Sequence, residues 1–197
     1  QPEKKFFISI AGGPTIPVGD FGSKSFSNDE AGLAKTGFTT NLQFGYQFFK
    51  NFGITSTILY SNYELDVSEF EQYGVTADHW QHYGILAGPM YTLPITEKLS
   101  TNFKVLGGIT NVNSPLVKFA NGTNLMNEKW STSFAMQLGA DLRYYFFNGF
   151  YVLTNIDYNF MKPTFDGDIS VGDGAPNSSF EQKISTIDFS IGIGVKF

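Results

Sequence analysis

The 197-residue chain holds 21 Phe, 10 Tyr and 21 Gly with only 16% charged residues, which is too aromatic for a disordered chain and poor in solubilising surface. It has no Cys, which removes disulfides, thiol catalysis and thiolate metal sites, and its formal charge of -5 argues against nucleic acid, which needs a basic stripe. No apolar run reaches the roughly 18 residues of a membrane helix, yet a mean hydropathy of -0.11 leaves room for a membrane barrel, whose strands average to neutral.

In chain order, residues 6–18 predict an opening strand. Phe38, Thr40, Leu42, Phe44, Tyr46 and Phe48 then alternate with polar or small residues and turn at Lys50-Asn51 into Phe52, Ile54, Ser56, Ile58 and Tyr60. Tyr83, Ile85, Ala87, Pro89, Tyr91 and Leu93 pass through Thr96-Glu97 into Leu99, Thr101, Phe103, Val105 and Ile109. A third hairpin runs from Phe134 to Phe146 through Asn148-Gly149, a type I′ turn signal, into Phe150, Val152, Ile156, Tyr158 and Phe160. The closing segment 187–197 reads IDFSIGIGVKF. Side chains of a strand alternate between faces, so Ile187, Phe189, Ile191, Ile193, Val195 and Phe197 share one face and Asp188, Ser190, Gly192, Gly194 and Lys196 the other.

These segments make eight strands in one domain, 1–197, because no linker or charge block divides the chain. Tight turns alternate with long connections at 19–35, 64–81, 113–130 and 163–183. That is the pattern of an all-β, eight-stranded antiparallel up-and-down transmembrane β-barrel with short periplasmic turns, long extracellular loops and both termini periplasmic. Closure is required, since an open sheet edge in hydrocarbon leaves backbone groups unsatisfied. Aromatics gather at strand ends as two girdles at headgroup depth. A soluble lipocalin-like barrel, the main competitor, would place apolar side chains inside and polar ones outside. Here the candidate lumen face is polar: Ser9, Asn41, Gln43, Thr55, Thr57, Asn102, Lys104, Gln137, Asp141, Arg143, Asn155, Asp157, Asp188, Ser190 and Lys196. Such an interior suits no apolar ligand. The start at Gln1 is what removal of an export peptide leaves.

With these features in place, the chain resembles the small eight-stranded outer-membrane barrels of the OmpA/OmpX-like superfamily, in particular the outer membrane β-barrel domain family. Residues 8–22, ISIAGGPTIPVGDFG, resemble that family's glycine-rich opening strand and its Pro-x-Gly-Asp-Phe turn. The closing IGIGVKF is similar to the signal read by the barrel-assembly machinery, which makes Phe197 the assembly signal. The resemblance implies an architecture shared by adhesins, anchors and lipid A-modifying enzymes. The anchoring role is not expected, for want of a peptidoglycan-binding domain after Phe197.

Lys104, Arg143 and Lys196 against Asp141, Asp157 and Asp188 predict an internal ion-pair network that plugs a lumen just wide enough for side chains. The alternative is a narrow ion path gated by those pairs. His79 and His82 have opposite strand parity, so a shared metal would need a curled loop. No His-x-Ser pair of the lipid A deacylase kind occurs. Asp166, Asp168 and Asp173 among glycines lack the EF-hand spacing and read as an acidic loop; Glu64, Asp66, Glu69, Glu71 and Asp78 make a second one. Pro14, Pro17, Pro89 and Pro94 fall in or beside strands, where ends and bulges accommodate most of them. Pro89, mid-strand and outward, could also weaken one seam, with Leu86 and Met90 inward beside it.

The function expected is that of a non-catalytic outer-membrane barrel with a structural and surface-interaction role, as an accessory subunit of an envelope complex; the rival is a lipid-acting enzyme or a lateral conduit for small apolar molecules. Phe70, Tyr73, Trp80, Phe119 and Trp130 are the candidate loop interface, though such rings also serve to pack loops together. Expected partners are outer-membrane lipid and lipopolysaccharide, the assembly machinery during insertion and other envelope proteins, with no nucleic acid, metal or cofactor.

Overall fold

The computed structural model describes residues 5–25, 30–68, 74–120, 122, 124–165 and 179–197. In chain order the strands are β1 (Phe6–Val18), β2 (Gly37–Gln47), β3 (Phe52–Glu64), β4 (Thr76–Ala77), β5 (His79–Pro94), β6 (Leu99–Ser114), β7 (Val117–Lys118), β8 (Asn124–Met126), β9 (Lys129–Phe147), β10 (Phe150–Met161), β11 (Thr164–Phe165), β12 (Phe180–Glu181) and β13 (Ile184–Lys196). Eight of them close an antiparallel barrel in the neighbour order β1, β13, β10, β9, β6, β5, β3, β2. The ends are tied by a reciprocal backbone pair, Phe6 N–H to the Phe197 carbonyl at 3.0 Å and Phe197 N–H to the Phe6 carbonyl at 2.8 Å. No sheet edge is left open in the wall, as hydrocarbon demands.

The alternation that predicts the strands also decides their faces. Ile10, Ile58, Ile85, Ile109, Phe134, Leu138, Ile191 and Ile193 are exposed on the outside, while their neighbours Ser9, Thr57, Gly84, Gln137 and Ser190 turn inward. A greasy exterior of this kind is stable only against lipid tails. At the short-turn end the outward rings touch in series: Phe6 with Tyr46 (4.6 Å between centroids), Tyr46 with Phe48 (5.1 Å), and Phe52 with Tyr91 (5.0 Å). At the other end Tyr60 meets Tyr83 at 4.9 Å, and Trp130 stacks on Tyr83 at 5.9 Å. Asn148 (φ 48°) and Gly149 (φ 89°) both adopt left-handed backbone in the β9–β10 turn, the requirement of a type I′ hairpin.

Four strands run past the ends read from alternation. β3 continues to Glu64, β5 begins at His79, β6 continues to Ser114 and β9 begins at Lys129, so the wall rises above the apolar belt on that side. There the outward row turns largely polar, with Gln81 between Asn62 and Asn113, and the ladder continues beyond the hydrophobic signature. The loops above add a three-stranded sheet ordered β4, β7, β8 and a hairpin of β11 with β12.

Candidate functional site

The lumen is filled in two different ways. From the short-turn mouth to mid-barrel it is polar. Arg143 lies against Asp141 through Nε to Oδ1 at 2.8 Å and Nη2 to Oδ2 at 3.2 Å, and Asn102 Nδ2 donates to the same Oδ1 at 2.6 Å. The Arg143 guanidinium is roofed by the Phe7 ring at 4.0 Å and the Tyr151 ring at 5.1 Å. Lys104 pairs with Asp157 at 2.9 Å, both side chains being 1% exposed. At this depth a single charge would be costly, so each holds its partner in place.

The expected six-member network is in fact two ion pairs and two other arrangements. Asp188 reaches no basic side chain among the described residues and instead accepts from Asn159 Nδ2 (2.8 Å), Thr186 and Thr15, whose hydroxyl also meets Tyr63 at 3.1 Å. Lys196 lies at the mouth, its Nζ donating to Gln47 Oε1 at 2.6 Å. The reason is height on the wall: β13 carries Asp188 and Lys196 eight positions apart, on either side of the level where Asp141 and Arg143 project.

Toward the long loops the interior turns apolar, which corrects the expectation of a polar interior throughout. Leu59, Leu86, Leu106, Val112, Ala135, Met161 and Ile184 are buried there with Tyr63, Trp80 and Phe165. Phe21, from the first long connection, is the stopper: 1% exposed, it stands edge-on to Tyr63 (5.1 Å) and Trp80 (5.7 Å). Trp80 Nε1 donates to the Gly32 carbonyl at 3.1 Å and its ring meets Phe165 at 5.9 Å. Trp80 is therefore no interface ring. Its parity on β5 turns it inward, and it packs the loops together. Trp130 is half exposed on the outer face and continues the girdle, Phe119 is exposed in the loop after β7, and Phe70 and Tyr73 lie outside the described residues, as do Asp166, Asp168 and Asp173. His79 is exposed and His82 buried, on opposite faces of β5.

The prolines hold a feature that reading them singly misses. Pro14 and Pro89 each follow a glycine in mid-strand, and at each the ladder with one neighbour is interrupted. Between β1 and β13 the pairs Gly12↔Ile191 and Thr15↔Asp188 flank a gap at Gly13-Pro14. Between β5 and β6 the pairs Ala87↔Gly107 and Met90↔Lys104 flank a gap at Gly88-Pro89. The register is the same on both sides of each gap, so no bulge absorbs either proline; the ladder simply lacks the missing N–H donor. These two seams divide the barrel into two staves, β13-β10-β9-β6 and β5-β3-β2-β1. A repeated Gly-Pro dipeptide was the available sequence signal.

No family model matches the sequence, and no curated protein does. Solved structures do. The attachment invasion locus protein Ail of Yersinia pestis superposes with a TM-score of 0.57 at 18% identity over 99% of both chains. The chain has the fold of the small outer-membrane β-barrels. Neisserial surface protein A is similar, with a TM-score of 0.57 at 14% identity over 98% of this chain and 97% of that one. A major outer membrane protein of Thermus thermophilus gives 0.59 at 9% identity over 98% and 99%.

Proposed function

We propose that this chain is a non-catalytic integral barrel of the bacterial outer membrane, with short turns and both termini in the periplasm, whose role is structural and interactive at its surfaces. The observation that carries this reading is the doubly closed lumen: Arg143–Asp141 and Lys104–Asp157 fill one end, and Phe21 with Tyr63, Trp80 and Phe165 fills the other. A barrel shut at both ends offers partners its lipid face, its loops and its mouths. Lipopolysaccharide meets the girdle and the rim, the assembly machinery reads the strand ending in Phe197, and another envelope protein binds the loops or the periplasmic mouth. Gentle extraction from native membrane followed by mass spectrometry tests it. A stoichiometric protein partner supports the reading; a lone monomer that hydrolyses or transfers lipid A or phospholipid acyl groups overturns it.

A second reading, passage of small apolar molecules sideways through the wall, is favoured by the Gly88-Pro89 gap, behind which Leu86, Met90 and Leu106 make an apolar inner surface. It requires that uptake of an apolar probe into vesicles fall when Pro89→Ala closes the ladder.

A further inference from the structure

At the short-turn mouth the lumen opens into a cavity of about 370 Å³. Lys5, Lys50 and Lys196 line it, with Glu97 as its carboxylate and Phe49, Pro94 and Leu99 as apolar wall. The three lysines arrive from the segment before β1, the β2–β3 turn and the end of β13, so their convergence is a product of closure and not of any local motif. Lys196 is held by Gln47, whereas among the described residues neither Lys5 nor Lys50 stands within ion-pair distance of a carboxylate. Tyr145 lines the same cavity, and deeper in the lumen the Arg143–Asp141 pair fills the way through. The cavity is therefore basic and partly apolar, with three ammonium groups against one carboxylate, and a concavity with such an excess of one sign of charge concentrates counter-charge.

We propose that this basin docks a carboxylate-bearing peptide segment. Its acidic side chains pair with Lys5, Lys50 and Lys196, and its hydrocarbon lies on Phe49, Pro94 and Leu99. Three separate ammonium groups around an apolar basin match several carboxylates spaced along a chain. A single phosphate is better served by the bidentate fork of an Arg, and the described lining has no Arg. The inference rests on the orientation proposed above only for its biological source: with the short turns in the periplasm, the segment belongs to a periplasmic protein.

The test uses the full chain in lipid nanodiscs and a fluorescein-labelled, amidated tetraglutamate peptide, read by anisotropy. The expected result is saturable binding that weakens steeply as salt rises. The double variant Lys5→Gln/Lys50→Gln, changed only at the mouth, lowers affinity roughly tenfold and flattens the salt dependence. Retention of the heat-modifiable gel shift shows that the variant has folded. Absence of binding by the wild-type chain, equal binding by the double lysine variant, or full displacement of the peptide by an equal concentration of inorganic phosphate would each overturn the proposal. Orientation is read separately, by protease access to the loops in intact cells, so loss of one conclusion is distinguishable from loss of the other.

Discussion

The two ends of the lumen are shut by opposite physics. Toward the short turns, Arg143, Asp141, Lys104 and Asp157 fill the bore with paired charge, each group fixed by strand parity in the wall. Toward the long loops, Phe21, Tyr63, Trp80 and Phe165 fill it with rings, two of them supplied from beyond the eight wall strands. Charge pairs need rigid placement, because a buried charge displaced from its partner is worse than none. Ring packing tolerates delivery by loops, since dispersion and burial carry no strict direction. Strand parity alone places the electrostatic plug, whereas the connections complete the aromatic one.

The comparison breaks most sharply at the charge pair. Asp157→Leu leaves Lys104 buried and unpaired, and is expected to destabilise the barrel by about 3–5 kcal/mol. The double change Lys104→Met/Asp157→Leu is expected to recover most of that, because two apolar side chains of similar size need no partner. Urea unfolding in detergent micelles, followed by Trp fluorescence, measures both; equal losses in the single and double variants would show that the pair is not a coupled unit. At the other end, Phe21→Ala removes the stopper at a cost of about 3 kcal/mol, the low end for a large ring, because loops can settle into the space. That loss should appear in faster hydrogen exchange at Ala34, whose N–H is held by the Phe21 carbonyl at 3.0 Å, and leave mid-barrel amides protected.

The plug was legible in the sequence and the stopper was not, for a physical reason. Inward parity can be counted along a strand, so Lys104, Asp141, Arg143 and Asp157 are placed by period alone. Sequence places Trp80 in a loop because the outward residues around it, His79 and Gln81, are polar above the apolar belt, and alternation vanishes while the ladder persists. Phe21 reaches the lumen through a connection whose path no periodicity encodes. Parity puts Asp188 and Lys196 on the correct face but cannot tell that they stand apart from the two ion pairs, since face follows from parity and height follows from the stagger of neighbouring strands.

The two staves offer an intermediate effect. Pro89→Ala restores an N–H at a position where the β5–β6 register is already correct, so one added backbone bond is expected to stabilise by about 0.5–1.5 kcal/mol. Pro14→Ala does the same between β1 and β13. Hydrogen exchange of the amides flanking each gap is the measurement, and both seams should become slower; a slower seam at only one proline would show that the two gaps are not equivalent.

The smallest effect sharpens the contrast between wall and loops. Asp66 accepts from Lys24 at 2.6 Å, lies 3.4 Å from Lys35 and also accepts from the Ser68 hydroxyl at 2.7 Å, joining the first long connection to the second. The Lys24 ammonium, followed by the Ser68 hydroxyl, holds the Asp66 carboxyl well below the usual carboxylate range. A depressed folded-state pKa contributes stability above the unfolded value of about 3.9 and loses it as pH falls toward the folded value. The clasp therefore fades below about pH 4. Lys24 is largely exposed, so solvent screens the pair and its contribution is about 0.2–1 kcal/mol, local to the loops. Its readout is the Asp66 N–H held by the Leu33 carbonyl at 2.7 Å and the Lys35 N–H held by the Glu64 carbonyl at 2.8 Å. Protection at these two amides, corrected for intrinsic exchange, should drop on acidification in the wild type and be flat with pH in Asp66→Asn. A drop of equal size in the variant would assign the acid response to other carboxylates and leave the loop clasp with no measurable electrostatic part.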